Sequence, residues 1–200
     1  EAVVFSLIQT QSRAKFEGQG KKYVELGAQA FDIDDQKLVS FTTGGFAPAS
    51  FQTFMFRGGV GLPYGFTLES GLSQVFADQI MTGANLSLGV QLFDFSTWVY
   101  TDLVPSSTFT LSSMKTLVGP GAFSTTGQLN IGAYNRNWFA QFSYALQSTY
   151  AILTGPSSSV KKFFLRHGIE SHVPFSKNIS VSMEIFFPAT SATVLLGYEF

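Results

Sequence analysis

The sequence predicts an all-β chain, wound as one closed, up-and-down antiparallel barrel with its apolar side outward. Three observations carry that prediction. Apolar residues fall on alternate positions in many short runs, the positions between them are small and polar, and no run of about 18 apolar residues marks a spanning helix. The 200 residues suffice for a single domain, 1–200, and no linker or charge run divides them. Charged residues make up 12% of the chain, about half the roughly 25% of soluble domains, whereas Phe alone occurs 22 times. That composition makes a poor water-facing surface.

The strands justify themselves in order. Phe54, Phe56, Val60 and Leu62 face away from Thr53, Arg57 and Gly59, and Phe66, Leu68 and Leu72 face away from Thr67, Glu69 and Gly71. Leu86, Leu88, Val90 and Leu92 alternate with Asn85, Ser87, Gly89 and Gln91. Leu129, Ile131 and Ala133 alternate with Gln128, Asn130 and Gly132. The charge-free run from Asn137 to Leu153 is the best helix candidate, yet Trp138, Ala140, Phe142, Tyr144 and Leu146 share one face and Phe139, Gln141, Ser143 and Gln147 the other. Period two indicates a strand. Ile179, Val181, Met183, Ile185 and Phe187 alternate in the same way, as do Val194, Leu196, Tyr198 and Phe200.

Turn signals separate these runs: "DIDDQ" (32–36), "LPYG" (62–65), "FDFS" (93–96), "NRN" (135–137) and "PFSKN" (174–178). Longer connections fall near 15–21, 47–50, 77–83, 105–122, 151–160 and 188–192. Counting between them predicts twelve strands with both chain ends on one side; ten is the alternative and eight the outside case. Residues 1–20 are either a first strand or a tether within the lumen. Segment 97–121 holds one strand and a long loop, or two strands broken at Pro105.

A soluble β-sandwich also alternates, but its outer face would be charged. Here the second face is mostly Ser, Thr, Gln, Asn and Gly. Closing the strands with that face inward satisfies every backbone hydrogen bond without water, as crossing lipid requires. The tail "VLLGYEF", with Val194, Leu196, Tyr198 and Phe200 on one face, resembles the C-terminal assembly signal of bacterial outer-membrane β-barrel proteins. The resemblance implies an integral outer-membrane location, insertion by the outer-membrane assembly machinery, tight turns and termini in the periplasm, and longer loops outside. Beginning on Glu1 rather than Met, the chain is taken as a mature form whose signal peptide has been removed.

The inward register collects Glu25, Gln29, Arg57, Glu69, Asn85, Gln91, Gln128, Asn130, Gln141, Arg166, Glu170, His172, Glu184 and Glu199, with carboxylates in excess. Such a lining suits a narrow passive pore for small polar or cationic solutes. The competing expectation pairs Arg57 and Arg166 with Glu69 and Glu170 in a closed barrel that is structural or binds a partner protein. Phe93, Phe139 and Phe186 on the same register would narrow the lumen. Lys21, Lys22, Lys161 and Lys162 flank predicted outer loops, where they would meet phosphates of membrane lipids, lipopolysaccharide included. Tyr23, Trp98, Tyr100, Trp138, Tyr144 and Tyr198 are candidates for interfacial aromatic girdles.

No catalytic role is expected. His167 and Ser171 share the outward face, the arrangement a lipid-modifying enzyme would use, but four residues of strand separate them by about 13 Å. His172 with Glu170 is expected as a lumen hydrogen-bond pair. The glycines of "RGGVGLPYG" precede no helix, so no phosphate loop is expected, and neither metal-ligand spacing nor a cofactor motif occurs. A net charge of −1 without a basic stripe gives no expectation of nucleic acid. A protein partner or a homo-oligomer fits the closed-barrel alternative.

Overall fold

The structure, a computed structural model, describes residues 19–32, 50–76, 80–92, 95–98, 100–116, 121–154, 159–188 and 191–200. Its strands are β1 (Lys22–Asp32), β2 (Ser50–Gly61), β3 (Phe66–Phe76), β4 (Ile80–Gln91), β5 (Phe95–Trp98), β6 (Thr101–Thr116), β7 (Gly121–Asn135), β8 (Ala140–Thr154), β9 (Ser159–Pro174), β10 (Ile179–Phe187) and β11 (Ser191–Glu199). Each pairs antiparallel with its sequence neighbours, except at β4. There β4 and the short β5 lie one after the other along β6, and β1 pairs with β11, so the sheet closes on itself.

The described barrel has ten staves rather than the expected twelve. Both edges of β1 are taken, by β2 and β11, so the ladder of described strands closes at β1. Residues 1–18 and 33–49 lie outside the described residues. Asp32 pairs with Ser50, which puts the start of "DIDDQ" at the opposite end of the barrel from "LPYG", not at the tight-turn end. The expected connections 77–83 and 105–122 also shrink, because β4 begins at Ile80 and β6 runs unbroken from Thr101 to Thr116.

Pro105 does not break β6. Gln91 pairs with Ser106 and Phe95 with Leu103, so the β4–β5 side carries one residue more than β6 between those pairs. Leu92 N donates to Pro105 O at 3.0 Å. A strand residue points its N–H and C=O to the same side, so the donor that proline lacks faces the place where the β4 ladder gives way to β5.

Stagger fixes the barrel's width. Partner-to-partner steps from Glu25 through Arg57, Gly71, Asn85, Ser112, Ser124 and Ala151 reach Lys162 on β9. Steps the other way, through Gly197 and Ser180, reach Pro174, and 174 differs from 162 by 12 residues. Ten strands with that stagger tilt by about 40° on a backbone radius of about 10 Å. This is slightly wider than the eight-stranded barrel that side chains just fill.

Burial is inverted relative to a soluble fold. Leu26, Phe54, Leu72, Leu86, Leu129, Tyr144, Ile169, Val194 and Leu196 lie exposed on the outer face, whereas Ser, Thr, Gln, Glu and Arg are buried inside. The large apolar residues that do point inward each lie across a glycine. Tyr23 pairs with Gly59, Leu195 with Gly27 and Phe186 with Gly168. A Cβ at Gly59 would stand 2.6 Å from the Tyr23 ring, and one at Gly168 would stand 2.7 Å from Phe186. The missing side chain is the seat of the ring.

Gly59→Ala is expected to destabilise the barrel by about 1–3 kcal/mol through overpacking, with Tyr23→Ala in the same chain recovering part of that loss. Urea unfolding from detergent micelles reads both; an unchanged midpoint for Gly59→Ala removes the packing role assigned to this pair.

Candidate functional site

The candidate site is the barrel interior, because alternation sends every second side chain of each strand there. Two unlike walls meet across it. From β9, β10, β1, β2 and β3 come the long charged side chains of Arg166, Glu170, His172, Glu184, Glu25, Arg57 and Glu69, all buried. From β4, β6, β7 and β8 come Ser87, Thr108, Thr110, Ser112, Ser124, Thr126 and Thr149, also buried. That second wall is mixed, for β7 and β8 also bring the buried amides of Gln128, Asn130, Gln141 and Gln147.

Arg57 stands opposite Glu25 in the ladder and donates its Nε–H to Glu25 Oε2. Its Nη1 donates to Glu184 Oε1 at 3.3 Å, so one guanidinium bridges carboxylates on β1 and β10. Glu170 is held separately. It accepts from Gln128 Nε2 at 2.7 Å, Asn130 Nδ2 at 3.3 Å and Ser143 Oγ at 3.3 Å. Gln147 Nε2 extends that chain by donating to Gln128 Oε1 at 3.1 Å. Arg166 donates to Ser191 Oγ at 2.5 Å and lies 5.1 Å over the centre of the Phe186 ring. Arg57 thus takes Glu25 and Glu184, and the hydrogen bonds to Glu170 come from Gln128, Asn130 and Ser143.

His172 differs from expectation as well. Its hydrogen-bond partner is Ser182, with Nδ1 at 2.9 Å from Oγ, while Nε2 lies 3.7 Å from Glu199 Oε1. Ser, His and Glu in a row suggest a nucleophile and its base, but the proton directions oppose that use. Ser182 Oγ donates to Glu25 Oε1 at 3.2 Å, so its oxygen accepts from the Nδ1–H of His172. An activated serine must donate to the imidazole instead. On the outer face, His167 packs between Tyr144 and Phe187 with ring centroids 6.0 Å away on both sides. Ser171, four residues along, is buried rather than open to lipid.

Gln141 and Asn130 are buried on the inward register, and Gln91 is half-buried near the tight-turn end. Phe186 points inward, whereas Phe139 does not: it sits in the β7–β8 turn with φ of 53° and is exposed. Phe93 and the side chain of Trp98 lie outside the described residues. Tyr23, expected in an outer girdle, is buried inside across Gly59. Of the other girdle candidates, Tyr144 is on the outer face and Tyr100, Trp138 and Tyr198 are exposed.

The lysines do not share one rim. Lys22 N donates to Phe200 O at 3.1 Å, placing Lys21 and Lys22 at the tight-turn end beside the C-terminus. Lys161 pairs with Ile152 at the opposite end, so one lipid leaflet cannot meet both pairs. The side chain of Lys162 lies outside the described residues. Val194, Leu196, Tyr198 and Phe200 are all exposed on the outer face of the closing strand or just beyond it.

Sequence reasoning missed Ser182, Gln147 and the Asp102–Arg136 pair. In that pair Arg136 Nε lies 2.9 and 3.0 Å from the two carboxylate oxygens at the tight-turn end. Parity placed Ser182 and Gln147 inside, but nothing local marks a neutral residue as the link between charged ones.

Arg57→Ala leaves Glu25 and Glu184 facing each other without their shared guanidinium. The expected loss is about 3–5 kcal/mol of stability, whereas Arg57→Lys should lose less. Thermal unfolding in detergent distinguishes them, and an Arg57→Ala barrel as stable as the parent would contradict the bridge.

No protein-family model matches the chain, and no curated protein does. Among solved structures it is similar to Ail, the attachment invasion locus protein of Yersinia pestis, at 9% identity and a TM-score of 0.32, over 91% of this chain and 99% of that one. It is similar to KdgM porin at 10% identity and a TM-score of 0.37, over 89% and 99%. The translocator domain of the autotransporter NalP from Neisseria meningitidis matches at 11% identity and a TM-score of 0.37, over 92% and 90%. These are outer-membrane barrels, the class that the C-terminal tail resembles. The barrel rests on its own closed ladder and its inverted burial.

Proposed function

We propose that the chain is an integral outer-membrane barrel whose lumen is closed in its resting state and whose work is structural or interactive, done at its ends and outer face. One observation carries this: the charged groups at the middle of the barrel bond to one another and are shut off from solvent. Arg57 is 3% exposed, Glu184 2%, Glu25 1% and Glu170 0%. A standing aqueous pore needs lining groups that water touches along its whole length, and these side chains offer no such surface.

A second reading, a narrow passive pore for small polar or cationic solutes, is favoured by a different feature. Among the described residues the interior carries the buried carboxylates Glu25, Glu69, Asp102, Glu170 and Glu184 and the buried arginines Arg57 and Arg166. A lining with that imbalance attracts cations once it is hydrated. The two readings differ in whether the Glu25–Arg57–Glu184 bridge is intact at rest.

Planar-bilayer recording separates them. The wild-type protein is expected to insert silently, and Arg57→Ala to produce discrete, cation-preferring conductance steps because it removes the bridge. Regular steps from the wild type at low voltage would establish the pore and overturn the closed barrel.

A further inference from the structure

Two strands of the barrel are equally long, yet their neighbours cover them unequally. β6 has 16 residues, and β4 followed by β5 takes up the side that faces them, from Thr116 down to Thr101. β9 also has 16 residues, and β8 pairs with it as far as Ser159. On its other side β10 stops at Phe187, opposite His167. Among the described residues no strand follows β10 there as β5 follows β4. Segment 159–165 therefore presents a backbone edge about 20 Å long above the β10–β11 hairpin.

Ladder parity fixes which groups that edge offers. Phe175 N donates to Ile179 O at 2.8 Å, which makes the odd-numbered residues of β9 the bonded positions toward β10. Counting back by twos, Ser159, Lys161, Phe163 and Leu165 turn their N–H and C=O groups into the gap, while the even-numbered residues turn theirs to β8. The outward side chains beside that edge are uncovered too: Phe163, Leu165 and Lys161 are exposed. At the tilt above, β10 covers about 20 Å along the barrel axis, most of the roughly 25 Å apolar band of such barrels. The edge thus begins near the limit of that band and runs on toward water.

A row of donors and acceptors at strand spacing is complemented by another extended backbone, and acyl chains offer it nothing. A second copy of this chain does not supply that backbone. Two barrels related by a two-fold axis along the membrane normal would cross their β9 strands at about twice the 40° tilt, so the two edges would meet at one point only. The fitting occupant is a strand of a different polypeptide.

We propose that the upper edge of β9 takes up an extended segment of another protein as an added strand, antiparallel to β9 and in line with β10. The proposal rests on the reading of the chain as a barrel whose work is done at its ends and outer face, and it names the partner's chemistry. Backbone pairing supplies the affinity. Outward side chains of the added strand select it, apolar opposite Leu165 and Phe163 and acidic opposite Lys161.

A fluorescent peptide, TVTVTET, reports this binding by its anisotropy when titrated with the full chain in detergent micelles. Its valines fall opposite Leu165 and Phe163, and its glutamate opposite Lys161. The amides of Lys161, Phe163 and Leu165 should exchange with solvent quickly in the free barrel and slowly once the peptide is bound, as read by NMR. N-methylation of both valines, whose N–H groups face the edge, should weaken binding about tenfold or more. N-methylation of the two middle threonines should change it little. Phe163→Pro removes an edge donor and leaves the bonds of Lys162 and Phe164 to β8, so it should weaken binding to the same extent, and Phe163→Ala less. No saturable binding, equal binding of the two methylated peptides, or slow exchange of these amides before peptide is added would overturn the added strand. Conductance of the wild-type barrel would instead strike the closed-lumen reading and leave this edge as it is, and a heat-dependent electrophoretic shift checks that each variant has folded.

Discussion

A backbone that crosses hydrocarbon has no water to bond with, and each unpaired N–H or C=O there costs several kcal/mol. Closing the sheet is the only way a set of strands meets that condition. In this protein closure happens twice over: β6 accepts both β4 and β5 along one edge, and β11 returns to pair with β1. Once the ladder is closed, little else is free. The stagger of the pairs sets the tilt, the tilt sets the radius, and the radius sets how much side chain the interior must hold.

The interior solves that filling problem without an apolar core. Charged residues of one wall extend over the serines and threonines of the other, and the few rings that point inward rest on glycines. Ionised groups in such a place need partners, and the placement of Arg57 supplies them while also fixing alignment. Arg57 faces Glu25 directly across β1 and β2. A slip of one residue would turn the guanidinium outward into lipid, at a cost of roughly 2–4 kcal/mol at mid-membrane depth. The same bridge therefore specifies the register of the strands that carry it.

Alternation made most of this legible from sequence. It separates inside from outside at Phe54, Leu86, Ile131 and Met183, where the apolar face is read directly from period two. The number of strands was less legible, because turn residues such as those of "DIDDQ" occur in short turns and in long connections alike. Pro105 misled in another way: its missing donor is harmless where the neighbouring ladder changes register, a fact about β4 and β5 rather than about β6. Tyr23 illustrates a third limit. An aromatic at a strand end reads as a girdle residue until its neighbour is known to be Gly59. Ser182 meets His172 directly across the β9–β10 hairpin, whereas Arg57 and Glu184 are 127 residues apart in the chain. Parity gives their side of the wall, while only the stagger gives their height.

The seam between the first and last described strands ties the interior bridge to the closure of the ladder. Lys22 N donates to Phe200 O and Phe200 N donates to Lys22 O, so the final residue locks the tight-turn end of the seam. Two glycines let its inner face close. Gly27 leaves room for Leu195, and a Cβ at Gly197 would stand 2.5 Å from Ser180 Oγ and 3.2 Å from Glu25 Cγ. Glu25 lies over that second gap, held by Arg57 of β2, which in turn reaches Glu184 of β10. The bridge thus runs from β10 past β11 to β1 and β2, spanning the seam from inside. Breaking this bridge would therefore loosen the place where the barrel's ends meet as well as the ion pairs themselves.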